Sequence, residues 1–136
     1  MAHKMDELDN LLSSVTDLSQ KIDLLNHLAW ELRERDRPYG LRLCEQAYSL
    51  ARESHYRKGL ADSLALVGYF NHYKANYALA LPQLLEAVAL FEELNYLDRL
   101  PVTLTMVGMT YLRLGNYAEA LPYHRAFAQM REQKPN

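Results

Sequence analysis

Apolar residues recur along this chain at intervals of three and four, the spacing that places them on one face of a helix. Met5, Leu8, Leu11, Leu12 and Val15 mark a first short amphipathic helix over 5–15. Leu24, Leu25, Leu28, Ala29 and Leu32 form the stripe of a second, over 21–35, with Thr16 or Asp17 placed to cap it and Gln20 near the capping-box position. Asp36 and Pro38 open a third, since Asp accepts from free backbone amides at a helix start and Pro fits the first turn. That helix runs to about Ser54 and buries Leu41, Cys44, Ala47, Tyr48, Leu50 and Ala51. Leu60, Leu64, Val67, Gly68 and Asn71 carry a fourth helix, ending near Ala75. Leu81, Leu84, Ala87, Val88, Leu90 and Phe91 carry a fifth, Leu100, Leu104, Val107, Gly108 and Tyr111 a sixth, and Ala120, Leu121, Phe127 and Met130 a seventh. Pro101 falls in or just before the first turn of the sixth, and the chain is expected to fray from Glu132 to Asn136. Each of these segments carries the helical spacing, so the fold class is all-α.

The pattern repeats. Ala75-Asn76-Tyr77-Ala78 returns as Gly115-Asn116-Tyr117-Ala118, 40 positions later, and Ala80-Leu81-Pro82 returns as Ala120-Leu121-Pro122. A degraded copy lies at Asp36-Arg37-Pro38-Tyr39-Gly40-Leu41. Asn76 and Asn116 are expected to cap the helices that follow, with Glu119 completing a capping box. Gly68 and Gly108 sit in mid-helix, where glycine costs about 1 kcal/mol relative to alanine. Close approach to Ala80 and Ala120 across each hairpin is the expected reason. Pro82 and Pro122 lie too deep in their helices for a missing N–H to be free, which predicts a mild bend or a late helix start.

Charge narrows the function. The 136 residues carry a net charge of −2, with 24% charged residues and 49% hydrophobic. Nucleic acid is an unexpected partner, because binding phosphates calls for a basic face. The run from Glu31 to Arg37 alternates in sign, and Glu31 with Arg35 is a favourable pair one turn apart on a solvated face. Single Cys44 has no partner for an internal disulfide and reads as a small core residue. The polar N-terminus and the lack of a long apolar run point away from export and membrane insertion, leaving the cytoplasm as the expected compartment. His3, His27, His55, His72 and His124 form no metal-ligand spacing; no phosphate loop and no activated nucleophile appears, so no cofactor, no metal and no catalysis is expected. His72 reads as a groove or surface residue, and His124 as a packed imidazole where a large apolar side chain would fit.

The residues just named resemble three tetratricopeptide repeats, over 19–54, 56–93 and 96–132, with the helix over 5–15 as a lid. The resemblance rests on Leu64, Val67-Gly68, Ala75-Asn76-Tyr77, Ala80-Leu81, Leu84 and Ala87, and on Leu104, Val107-Gly108, Tyr111, Gly115-Asn116-Tyr117, Ala120-Leu121 and Phe127. Repeat one carries Leu25, Leu28-Ala29, Leu32, Leu41, Cys44 and Ala47, but has Gly40 for the usual Ala, lacks the Gly-Asn-Tyr turn, and has a turn one residue short. The 40-residue period exceeds the family's usual length of about 34 and is similar to the long-repeat type of kinesin light chains and of bacterial signalling proteins. The resemblance implies a right-handed α-solenoid and a non-catalytic protein-interaction scaffold. It also suggests the sensory or dimerising segment of a larger bacterial signalling protein of cyclase or kinase type, or alternatively a free-standing adaptor that binds a peptide or amphipathic helix.

By the same resemblance the concave groove would be lined by Asn26, Trp30 and Arg33, by Ala65, Tyr69, His72 and Tyr73, and by Thr105, Met109, Leu112 and Arg113. Trp30 and Tyr69 are the expected anchors, unless Trp30 folds onto its neighbouring helix and Tyr69 packs within its hairpin. Asn26, Trp30, Leu66, Val102 and Met106 hold the positions where some relatives clamp a terminal carboxylate with cations, so that ligand is disfavoured. Tyr123, His124, Phe127 and Met130 present more apolar surface than one helix would cover, which marks a surface for self-association, as a homodimer, or for further chain.

Overall fold

A computed structural model of the chain describes residues 2–133, with side chains placed from Glu7 to Glu132. The expected contribution of Met5 and the fraying of residues 134–136 lie outside the described side chains and residues. Seven helices and no strand are found among the described residues: α1 Ala2–Ser14, α2 Leu18–Glu31, α3 Arg37–Ser54, α4 Arg57–Tyr73, α5 Tyr77–Leu94, α6 Leu100–Arg113 and α7 Tyr117–Gln133. The molecule is therefore all-α. α2 with α3, α4 with α5, and α6 with α7 pack as hairpins, α3 packs on α4 and α5 on α6, and α4 also touches both α2 and α6. α1 rests on α2, with Leu12 buried.

The helix ends follow from local chemistry. Asp17 accepts from the amide of Gln20 at 2.9 Å, and Asp36 from the amide of Tyr39 at 3.2 Å, so both carboxylates cap as expected. Asn76 stands at the start of α5 without a side-chain cap: its exposed amide stays in water, while its backbone carbonyl accepts from Ala80 at 2.9 Å. The starts of the second and third hairpins share one device. His55 and Asn95 adopt left-handed φ values of 59° and 51°. The next residues, Tyr56 and Tyr96, donate their amides back to Ala51 and Phe91 at 2.9 Å. The turns within those hairpins repeat as well: Ala75 (φ 65°) and Gly115 (φ 81°) precede Asn76 and Asn116, whose amides reach Asn71 and Tyr111 at 2.9 Å.

Two expectations change, and a third is narrowed. α2 ends at Glu31, so Arg35 is not one helical turn away on the same helix, and Glu31 instead has the His27 imidazole at 3.9 Å. The α2–α3 connection, residues 32–36, is longer than the three-residue connections 74–76 and 114–116, rather than shorter. α5 and α7 both continue through Pro82 and Pro122 and do not start late. Each proline is exposed, and the carbonyls left without a donor belong to exposed Ala78 and Ala118, where water can take the bond.

The core has two halves that meet on α4. Ile22, Leu25, Ala29, Leu43, Cys44 and Phe70 anchor the first. Leu64, Ala80, Leu84, Phe91, Leu104 and Val107 anchor the second. The buried stripe of α2 is Ile22, Leu25, Asn26 and Ala29, with Leu24, Leu28 and Leu32 only half-buried at its margin. α4 is buried on nearly every side, including Asp62, Ser63, Asn71 and His72, and such a helix must find partners for its polar groups. Ser63 donates to the Leu60 carbonyl at 3.0 Å and Asn71 to Gln83 Oε1 at 2.9 Å.

The glycine contacts fall one turn from where they were expected. A β-carbon on Gly68 would meet Leu84 Cγ at 2.7 Å, and one on Gly108 would meet the His124 ring at 2.8 Å. Ala80 and Ala120 are fully buried, but the side chains that press on the two glycines are Leu84 and His124. His124 thus takes the packing place of a large apolar residue.

Candidate functional site

A cleft of about 650 Å³ opens beside the first residues of α6. Trp30 of α2 and Phe127 of α7 stand among its walls, with Tyr96, Asp98 and Arg99 from the α5–α6 connection and Val102 and Thr105 from α6. A volume of that size suits a small ligand or a few side chains of a docked segment.

Trp30 is held by its neighbours. Arg33 lies over the indole with its guanidinium carbon 3.8 Å from a ring centroid, and Arg99 approaches at 5.1 Å. Tyr69 meets Trp30 edge-on at 5.9 Å, and Tyr73 leans on Tyr69 at 4.8 Å. Trp30 and Tyr69 are both half-buried, so each packs and still presents a surface. Burial raises the Tyr69 hydroxyl above its usual range, keeping it a neutral donor.

Arg99 connects this surface to a buried carboxylate. Its Nε lies 3.4 Å from Asp62 Oδ1, and the Tyr96 hydroxyl donates to Asp62 Oδ2 at 3.4 Å. Asp62 is only 4% exposed, and Oδ1 has a charge contact without a hydrogen bond. Burial pushes its carboxyl up to about 6, while Arg99 and then Lys58 pull it down and Asp23 pushes it up. Tyr96 is pushed up to about 12 by burial and by the Asp62 charge. Forty positions before Tyr96 a similar arrangement occurs in shorter form: Tyr56 donates to both oxygens of Asp23 at 3.0 Å, and Lys58 stands 3.7 Å from Asp23.

The structure divides the groove residues expected from sequence. Trp30, Arg33, Tyr69 and Tyr73 form one aromatic–cation cluster, and Trp30 shares the cleft with Thr105. Asn26 and His72 are not on a free surface. Asn26 is 2% exposed and donates to the Gly59 carbonyl at 3.3 Å, and His72 is 4% exposed with its Nδ1 2.9 Å from the Thr110 hydroxyl. Both join α4 to the first helix of a neighbouring hairpin, because a first helix packed between two others has little free face left. Burial lowers the His72 pKa, and nearby Arg113 lowers it further. Ala65 is buried beneath Trp30. Met109 packs on the second core, while Leu112 and Arg113, exposed at the far end of α6, do not reach the cleft.

The apolar face of α7 is partly covered by its own chain, and Leu121 beside it is 48% exposed. Tyr123, His124, Phe127 and Met130 are all half-buried: Tyr123 lies 5.7 Å from Tyr111, His124 covers Gly108, Phe127 walls the cleft, and Met130 packs on the second core. Burial raises the Tyr123 hydroxyl. At the position where α3 and α5 bury Ala51 and Phe91, α7 carries exposed Arg131.

Sequence reasoning missed Asp62, Tyr96, Asp98 and Arg99. The signal for part of them was present: Tyr56 and Tyr96 each follow an acidic residue by one near-constant interval, 33 and 34 positions. Cys44 is fully buried, its thiol pushed up by burial, so it is inert as a nucleophile. Among the described residues no group of three His, Cys, Asp or Glu side chains could hold a metal ion, and no helix is long and apolar enough to cross a membrane. Comparison of the chain with protein-family models, with curated proteins and with solved structures gave no match.

Proposed function

We propose that this chain is a right-handed α-solenoid of three tetratricopeptide-type hairpins and serves as a non-catalytic protein-interaction scaffold, taking a peptide or amphipathic helix against Trp30. The observation that carries this reading is the cleft of about 650 Å³ between Trp30, Arg99, Thr105 and Phe127. Rigid aromatic walls beside a few polar groups are the usual make-up of a docking hot spot. The 40-residue recurrence of the helix ends at His55 and Asn95 and of the turns at Ala75 and Gly115 supports the repeat reading, since each hairpin then needs a neighbour to cover its apolar face.

The docking reading has the cleft behind it, whereas the dimerising segment of a signalling protein rests on the family resemblance and on the partly exposed face of α7. Tyr123, His124, Phe127 and Met130 are half-buried in their own chain. Panning a peptide library against the immobilised chain tests the scaffold. Selected peptides lose at least about tenfold in affinity for Trp30→Ala and for Thr105→Arg. Peptides that bind both variants as well as the parent chain contradict the reading.

A further inference from the structure

A second cleft, of about 380 Å³, lies between the start of α3 and the end of α4 and shares no lining residue with the Trp30 cleft. Its walls are Pro38, Leu41 and Phe70, and three cations, Arg37, Arg42 and Lys74, complete it. No carboxylate lines it, in a chain whose net charge is −2.

The cations are positioned without being neutralised. The Arg37 guanidinium carbon is 4.9 Å from the Tyr73 ring centroid, and its Nε donates to the Arg33 carbonyl at 3.1 Å. The Arg42 guanidinium carbon is 5.5 Å from the Tyr39 ring centroid. Aromatic faces and a backbone carbonyl thus orient two guanidinium groups while leaving other N–H groups free. Among the described residues the ion pairs are His27–Glu31, Arg57–Glu93, Lys58–Asp23 and Arg99–Asp62, and none includes these three side chains. Two acids stand nearby, and each has another partner: Asp36 caps α3, and Asp9 accepts from the hydroxyl of Tyr39, whose ring Arg42 covers. Three like charges around one small cleft repel one another, and an anion there relieves the repulsion while each cation gains a charge-assisted bond.

The apolar floor sets the rest of the ligand. An inorganic anion would satisfy the rim and leave Pro38 and Leu41 facing water. We propose that this cleft binds a small organic anion, with a phosphate or carboxylate head among Arg37, Arg42 and Lys74 and an apolar or aromatic body on Pro38 and Leu41, above the buried Phe70. The cleft volume falls in the range of small-molecule sites, and Phe70 is a firm floor because it is itself buried in the first core.

Calorimetric titration of the full chain with 1-naphthyl phosphate, 1-naphthoate, inorganic phosphate and neutral 1-naphthol tests the proposal. At least one naphthyl anion binds about tenfold or more tighter than both inorganic phosphate and naphthol, and the identity of the better anion distinguishes a phosphate head from a carboxylate head. Arg42→Gln combined with Lys74→Gln weakens that anion by about tenfold or more. These side chains are exposed, so the pair of changes leaves the melting curve in place. Arg57→Gln, which removes an exposed cation elsewhere, and Trp30→Ala, which alters the other cleft, leave the affinity unchanged. Failure of both anions to saturate below about 10 mM, equal affinity in the double variant, or loss of binding in Trp30→Ala would each overturn it.

Discussion

Leu84 lies across Gly68 so closely that a β-carbon on residue 68 would stand 2.7 Å from its Cγ and 3.3 Å from its backbone nitrogen. The second distance matters most, because a backbone atom cannot swing away. Gly68→Ala gains about 1 kcal/mol in helix propensity but forces α4 and α5 apart, at a cost of about 1–3 kcal/mol. The three atoms nearest a β-carbon on Gly108 all belong to the His124 ring, which is half-buried and can rotate. Chemical denaturation of both variants is expected to show Gly68→Ala as the more destabilised. The reverse order would mean that the two hairpins are not packed as described.

Ala75 holds a left-handed backbone, φ 65°, at the position where the next hairpin has Gly115 at φ 81°. An L-residue pays about 1–2 kcal/mol for that conformation, and glycine does not. After the extra unfolded-state freedom of glycine is deducted, Ala75→Gly is expected to stabilise the chain by about 0.5–1 kcal/mol. A thermal melt shifted upwards is the predicted result.

The two tyrosine–aspartate pairs should differ in strength. Tyr56 donates to both oxygens of Asp23 at 3.0 Å, whereas Tyr96 reaches one oxygen of Asp62 at 3.4 Å. Tyr56→Phe is expected to cost about 1–2 kcal/mol and Tyr96→Phe about 0.5–1 kcal/mol. Urea midpoints of the two variants measure this.

Asp62 gives the stability curve a definite sign. Its carboxyl is raised from 3.8 to about 6, so the folded chain holds this proton more tightly than the unfolded one. The resulting stabilisation is complete below about 3.8 and is lost as pH rises through about 6. Asp62→Asn removes the titration. The stability difference between parent and variant therefore shifts against the parent by on the order of 2 kcal/mol between pH 4 and pH 7. A difference independent of pH would remove the buried-carboxylate account.

The parts of the fold legible in the sequence were those set by short-range rules. Asp17 and Asp36 were readable as caps because capping involves residues three apart, and the recurrence of Ala75-Asn76-Tyr77 at Gly115-Asn116-Tyr117 exposed the hairpins. The glycine partners were displaced by one turn because sequence spacing gives a face but not the offset between two helices. Asn26 and His72 looked like groove residues until the neighbouring hairpins covered them. Arg99 was invisible for the opposite reason: it belongs to the short connection before α6, where no periodicity operates, and its role depends on Trp30 and Asp62 from two other helices. Sequence patterns carry helices well and carry meetings of three distant residues poorly.

The central claim is that a partner segment docks in the cleft beside Trp30, and the single indole of this chain makes it directly measurable. Amide and indole nuclear magnetic resonance spectra, recorded during titration with a library-selected peptide, report where it binds. The account predicts that the Trp30 indole N–H signal moves together with the amides of Arg99, Thr105 and Phe127, while those of Tyr48 and Leu90 stay still. A saturating peptide that leaves the indole signal in place and shifts only residues outside the cleft would contradict it.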